Sequence, residues 1–432
     1  MAKVGVTFQP DRAYLDLVLP LAVELADYVE VAPETLWRRD AHGNLAANAF
    51  HATLRTFVTA SGLDVVAHGV GLSLGTADPY DEPRLQRWLA RIAEDHATFG
   101  FLWYSDHLGA TVLDGIELTL PIALPATEAA ASVVAERLRR LQAIVHDVGC
   151  ENAVCYFTLD DWLHEPGFLD RVLHAPRTHL VLDLHNVFTM ARNLGVDPAR
   201  YLEALDLDRV IEIHVSGGSD SDPAWLPSRR VLRLDAHDSA VPEPVWDMLA
   251  RVAPFCRNLR GVTLERMEGT VEPGDVPLLR RELERVREVV AGLQGAQATA
   301  SGVRADSAAE VHADRSTDAT TEATDAEHTD LAAQQARLAR ALTRLDRSSV
   351  AGDGVADDDG FRLAAMMVAR LRFERLMRLS PTAHAWFERD AQAFTRAFVR
   401  YHASCPADAV DPWGDGDRFG RWVDRHAGSE PD

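Results

Sequence analysis

The run Leu180-Val181-Leu182-Asp183-Leu184-His185-Asn186 is apolar and carries a β-branched residue. It stops abruptly in a carboxylate, an imidazole and an amide. Such a run reads as a buried parallel strand whose C-terminal end delivers polar groups into a pocket. Asp183 and His185 stand two apart, so on an extended backbone they point to one side, an arrangement that suits a divalent transition metal. Taken alone, the segment reads equally well as a helix-capping Asp with a packed His beside it. The constraint on the fold is recurrence, because the same event repeats along residues 1–293.

Strand patterns fall at 4–8, 28–31, 63–68, 101–105, 150–157, 179–183, 210–214 and 259–265. Helical periodicity lies between them at 15–26, 45–61, 81–99, 127–147, 198–205, 245–252 and 276–293. Alternation of this kind predicts a (β/α)8 barrel, an α/β fold whose functional groups gather at the C-terminal ends of the strands. Polar terminators fall there repeatedly: His68, Asp106, Asp183, His214 and Glu265. Glu151 lies within its strand pattern, and Asp235 and His237 lie in the connection after His214. The Gly-rich turn 69–75 has neither the spacing of a dinucleotide fingerprint nor the Lys-Ser/Thr of a phosphate loop. It reads as a tight strand-to-helix turn that lets the backbone approach a ligand closely.

Residues 294–330 change character to Ala, Thr, Ser, Asp and Glu without apolar periodicity, which predicts a disordered acidic linker. Beyond it, 331–345, 361–379, 383–401 and 418–426 read as amphipathic helices of a small all-α module spanning 331–432. Its aromatic residues read as core. The formal charge of −22 opposes nonspecific nucleic-acid binding and adsorption to an anionic membrane. No apolar run is long enough to span a bilayer, and there is no secretory pattern. Cys150, Cys155, Cys256 and Cys405 are too scattered for a disulfide framework or a thiolate zinc site. A reducing cytoplasm fits best, and Cys150 and Cys155 read as buried packing residues.

Several carboxylates and imidazoles converging on one barrel mouth would repel one another and raise their own pKa values, and cations would relieve that repulsion. Oxygen and nitrogen donors without thiolate point to iron, manganese or zinc, and their number to more than one ion.

The blocks His68-Gly-Val-Gly-Leu-Ser-Leu-Gly75, Ser105-Asp-His-Leu108, Glu151-Asn152, Asp183-Leu-His-Asn186, Glu212-Ile-His214, Asp235-Ala-His237 and Thr263-Leu-Glu265 occur in one order. That order resembles the multinuclear non-haem iron-dependent oxidative enzymes, the MbnB-like family. The resemblance implies two or three iron ions of mixed valence and O2 as co-substrate. It implies oxidation of a ribosomally made, cysteine-containing precursor peptide, usually at cysteine. The implied metal ligands are His68, Asp106, Glu151, Asp183, His185, His214, Asp235, His237 and Glu265, with His107, Asn152 and Asn186 in support and no catalytic residue beyond the ligands. Three departures stand out. Asp106 replaces a Glu, and His185 replaces an Asn. Gly218 stands where a second His is usual. Either His185 supplies the imidazole missing at Gly218, or one metal position is weakened. Glu34 aligns with a Glu-Asn pair of the family but is followed by Thr35, and it stays outside the ligand set. The helical module weakly resembles the partner proteins that present the precursor in this family, or it serves oligomerisation. The runner-up activity is that of a divalent-metal barrel hydrolase or isomerase acting on a sugar or phosphate.

Overall fold

The computed structural model describes residues 2–40, 42–300, 323–350 and 352–426, with only the backbone for 294–300. Eight parallel strands close into a barrel: β1 (Lys3–Thr7), β2 (Tyr28–Val31), β3 (Asp64–Gly69), β4 (Tyr104–His107), β5 (Val148–Glu151), β6 (Thr178–Asp183), β7 (Val210–Val215) and β8 (Gly261–Leu264). Each strand pairs with its sequence neighbours, and β1 closes on β8. The expected (β/α)8 architecture is therefore present, followed by a C-terminal helical region.

Helices α1 (Arg12–Leu25), α2 (Ala49–Ser61), α3 (Glu82–Phe99), α4 (Glu128–Gln142), α5 (Glu165–Val172), α6 (Leu184–Leu194), α7 (Pro198–Ala204), α8 (Glu243–Val252) and α9 (Val276–Ala300) cover the outside. Their starts are chemically marked. Asp11, Asn48, Thr127 and Asp197 each accept a backbone N–H from the first turn of the helix that follows. Gly62, Gly100 and Gly195 end α2, α3 and α6 in the left-handed conformation.

Register sets the level at which side chains meet inside the barrel. His107 pairs with Glu151, and Ser105 with His68. A register shift between Leu180 and Val181 brings Asp183 opposite His214. Below this level an apolar plug of Tyr28, Val66, Trp103, Val181 and Ile211 fills the barrel.

Several boundaries differ from those expected. The fourth strand lies at 104–107 rather than 101–105, and the fifth at 148–151 rather than 150–157. An antiparallel ribbon, Ala110–Leu113 with Ile116–Ile122, follows β4 and carried no strong alternation signal. The expected linker 294–330 is trimmed from both ends. Helix α9 runs on to Ala300, and α10 (Asp325–Arg344) opens on a capping box between Thr324 and Glu327. Residues 301–322 of that expectation lie outside the described residues. The expected helix 383–401 is two, α12 (Pro381–Arg389) and α13 (Ala391–Ser404), because the Asp390 side chain caps a new start.

One apolar core runs through the barrel and into the C-terminal region. It includes Leu331, Leu338 and Leu342 of α10 and Phe361, Leu363 and Val368 of α11 (Asp358–Leu379). Each such buried side chain stabilises by about 1.5–3 kcal/mol. A second cluster (Leu376, Phe394, Phe398, Tyr401, Phe419, Trp422) joins the end of α11 to α13 and α14 (Asp415–His426). There Arg372 makes a buried two-pronged contact with Asp415, at 2.9 and 3.0 Å.

Helix α11 crosses the strand-exit face of the barrel. Phe361 packs on Phe157 after β5, with ring centroids 5.5 Å apart. Arg375 pairs with Glu117 after β4. Arg370 lies 5.9 Å from the Trp225 ring after β7, and Arg378 lies 3.3 Å from Glu268 after β8. Gly360 sits at the tightest point, where a Cβ would lie 1.8 Å from the Tyr156 carbonyl oxygen. Gly360→Ala should therefore push α11 off the barrel at a cost of about 3 kcal/mol. A clear fall in Tm, with proteolysis starting in the C-terminal helices, is the expected result; an unchanged Tm contradicts this packing.

Candidate metal centre

Strand alternation decides which polar residues enter the barrel. On β4, Ser105 and His107 face inward while Tyr104 and Asp106 face the helices. Asp106 is thus not brought to the centre. It is fully buried, and Oδ2 accepts the Leu72 N–H at 3.2 Å. Burial, with the Glu34 carboxylate second, pushes its carboxyl up to about 8. Glu34 belongs to the same outer structure, and its Oε1 accepts the N–H groups of Val70 and Gly71 at 2.7 and 2.8 Å.

Seven side chains do meet at the barrel mouth: Glu30, His68, His107, Glu151, Asp183, His214 and Glu265. His68 Nε2 and His107 Nε2 lie 3.4 and 3.1 Å from Glu151 Oε2. Their other nitrogens are anchored, His68 Nδ1 against Ser105 Oγ at 2.8 Å and His107 Nδ1 against the Gly69 carbonyl at 3.1 Å. That anchoring leaves the Nε2 lone pairs aimed at the centre. His214 sits between carboxylates, Nδ1 at 3.0 Å from Glu151 Oε1 and Nε2 at 3.1 Å from Glu30 Oε2. Glu265 Oε1 lies 3.5 Å from His214 Nδ1.

Asp183 performs two tasks. It caps α6 through Oδ1, which accepts the Asn186 N–H at 2.7 Å, and it leaves Oδ2 buried without a hydrogen-bond partner. Asn152 clamps the Asp183 backbone at both ends, with N–H and carbonyl each at 2.9 Å. Asn186 Nδ2 donates to the Asn152 carbonyl at 2.9 Å. Both asparagines thus hold the ends of β5 and β6 together.

The expectation that Asp183 and His185 point together does not hold, because the strand ends at Asp183 and His185 already lies in the first turn of α6. His185 instead joins a second group with Asp235 and His237. Asp235 Oδ1 lies 3.2 Å from His185 Nδ1 and 2.8 Å from His237 Nε2. His237 Nε2 also lies 3.8 Å from Glu265 Oε2, so the two groups adjoin. His237 adopts a φ of +49°, a conformation rare for L residues, and the Met267 N–H holds its carbonyl at 3.1 Å.

Sequence reasoning missed Glu30, Glu212 and the direct role of His107. Glu30 is a lone carboxylate on a strand otherwise apolar, and Glu212 stands two residues before His214 on one strand, which was the available signal. Glu212 forms the floor, accepting Tyr28 OH at 2.7 Å, Thr263 Oγ1 at 2.5 Å and Trp103 Nε1 at 2.6 Å.

The electrostatics follow from this crowding. Burial, then the Glu151 and Glu265 carboxylates, pushes Asp183 well above the usual carboxylate range. Burial opposes protonation of His214, yet Glu265, Glu30, Glu151 and Glu212 together hold it well above its ordinary value. Buried oxygens on Asp183 and Glu265 lack hydrogen-bond partners. In each of four groups, three overlapping at the mouth and the fourth (His185, Asp235, His237) beside them, the donor atoms lie within 4.8 Å of one another. Atoms sharing one transition-metal ion at about 2.1 Å are at most about 4 Å apart; the His–carboxylate contacts within the groups, 2.8 to 3.5 Å, lie inside that span, so the donor set fits metal cations. Neither Cys150 nor Cys155 belongs to any such group among the described residues.

Residues 3–291 match the family model of the RiPP precursor modification enzymes MbnB/TglH/ChrH, RiPPs being ribosomally made, modified peptides. A UPF0276 protein of Streptomyces avermitilis is 31% identical over 276 residues, which are 62% of this chain and 53% of that protein. One from Pseudomonas aeruginosa is 32% identical over 264 residues, 61% of this chain and 84% of that protein. One from Caulobacter vibrioides is 31% identical over 244 residues, 56% and 78%. The match thus spans only about half of the Streptomyces relative. Among solved structures, a xylose isomerase domain protein from Planctomyces limnophilus aligns at TM-score 0.42 and 16% identity, over 69% of this chain and 99% of that one. With the ordered motifs matched from the first strand to the last helix of the barrel, this chain belongs to the MbnB/TglH/ChrH family of RiPP precursor modification enzymes.

Proposed function

We propose that the barrel holds two or three iron ions and oxidises a ribosomally made precursor peptide at cysteine, with O2 as co-substrate. The observation that carries this reading is the set of overlapping nitrogen and oxygen donor groups at the mouth, with partnerless carboxylate oxygens among them. His68, His107, Glu151, Asp183, His214 and Glu265, with Glu30 beside His214, would hold the central ions, and His185, Asp235 and His237 a further one. When bound, iron supplies the redox chemistry that O2 activation requires and a site for a thiolate.

The chain's own contribution is positional. Ser105 and the Gly69 carbonyl fix the orientation of the His68 and His107 rings. Asn152 and Asn186 hold Asp183 in place. Glu212 keeps the floor closed below His214. The C-terminal helices are proposed to present the peptide, because α11 lies beside the loops that follow β4, β5, β7 and β8. In a reducing cytoplasm both the substrate thiol and ferrous iron would persist.

Anaerobic purification with iron, metal counting, and an O2 pulse with a candidate cysteine-containing precursor test the reading. More than one iron per chain and a peptide mass change that appears only with O2 are expected. Turnover without O2, or full activity with zinc alone, would replace it with a hydrolytic or isomerising activity.

A further inference from the structure

We infer that Gln335, on C-terminal helix α10, is a positioning residue for the His68 side of the metal centre, an inference that rests on the proposed metal function. Gln335 is 2% exposed. Its Nε2 donates to the Gly75 carbonyl at 2.6 Å, and its Oε1 accepts the Ala77 N–H at 2.8 Å. The side chain thus imitates a neighbouring strand, serving one donor and one acceptor of the turn that follows β3.

That turn is bound on every side. Glu34 and Asp106 take the N–H groups of residues 70–72. Arg84 donates to the carbonyls of Gly71 and Leu72, and Arg137 to those of Leu72 and Thr76. Ser73, at φ +63°, accepts the N–H groups of Thr111 and Val112 at 2.8 and 2.9 Å. Gly75 N donates to the Gly109 carbonyl at 2.8 Å. These contacts staple the exits of β3 and β4 together, and the exits carry His68 and His107, whose rings lie 4.7 Å apart. Within this web Gln335 is the contribution of the C-terminal region. An amide is required there, because a carboxylate would repel the Gly75 carbonyl and a leucine would leave both backbone groups without a partner.

The test compares full-length Gln335→Leu and Gln335→Glu with the parent, and with Leu338→Ala on the same helix. Anaerobic Fe(II) titration followed by Mössbauer spectroscopy should show about 10-fold weaker uptake and an altered spectrum for Gln335→Leu. Gln335→Glu, which keeps one of the two hydrogen bonds, should fall between Gln335→Leu and the parent. Leu338→Ala removes buried apolar surface and no hydrogen bond to the turn, so it should lower Tm while keeping the parental affinity and spectrum. Hydrogen exchange of the amides at 70–77 reads the same positioning without metal, faster in Gln335→Leu and parental in Leu338→Ala. Parental exchange and Fe(II) affinity in Gln335→Leu, or equal changes in Leu338→Ala, overturn the inference. A parent chain that takes up no iron overturns the proposed function instead, and exchange alone then decides for Gln335.

Discussion

Glu151→Ala should strip at least one iron from each chain and reduce peptide oxidation by more than about 100-fold, the upper end of losses seen when only a residue supporting a metal ligand is removed. The expectation follows from its position between two donor groups. Oε2 faces His68 and His107, and Oε1 faces His214. Among the described residues no other side chain belongs to both the His68–His107 group and the Asp183–His214–Glu265 group. Removing the carboxylate separates those groups and takes away a negative charge that balances cations in a buried space. Burial opposes ionisation of Glu151, yet His107 and His68 hold its carboxyl well below the usual range. Glu151→Gln keeps the shape but not the charge, and its iron loss should be intermediate. Metal analysis with Mössbauer spectroscopy checks both variants. Parental iron content in the two would remove Glu151 from the centre.

His185→Ala should cost one iron while leaving the central set in place, because among the described residues His185 groups with Asp235 and His237 alone. A Cβ built on Gly218 would lie 2.9 Å from His185 Cε1, so the His185 ring occupies the space that a side chain at 218 would enter. This accords with the proposal that His185 supplies the imidazole that Gly218 lacks. The same Cβ would lie 2.2 Å from the Leu234 carbonyl oxygen, a backbone atom that cannot yield without moving the segment before Asp235. Adding Gly218→His to His185→Ala should therefore fail to restore the lost iron and should lower Tm further. An unchanged iron count in His185→Ala removes His185 from the ligand set, and restoration by the double variant would show that the segment moves.

The C-terminal region calls for point substitutions rather than truncation. Removing everything after residue 294 would expose the faces buried under α10 and α11, including the contact between Phe157 and Phe361. Loss of activity in such a fragment would not distinguish a peptide-presenting role from loss of the fold. Gly360→Ala and Gln335→Leu act on that seam within the intact chain.

Much of the barrel was legible along the chain. Apolar runs ending in polar residues, separated by amphipathic helices, carry their meaning locally, because burial on a strand or helix depends on neighbours two, three or four positions away. The same local logic marked His68, Asp183, His214 and Glu265 at strand ends, and the family resemblance added Glu151, Asp235 and His237; the fold brings all seven to the mouth or beside it. Other assignments depended on contacts distant in sequence. Strand β4 runs on to His107 instead of ending at Ser105, so alternation continues through Asp106, which faces outward, to His107, which faces inward. The helix cap at Asp183 started α6 at the next residue and sent His185 to Asp235. Glu30 and Glu212 became part of the site only when barrel closure set them beside His214. Local patterning therefore determined that a barrel with a polar mouth would form. Register around the closed sheet, which all eight strands set jointly and no single stretch encodes, decided which neighbouring side chains share a centre.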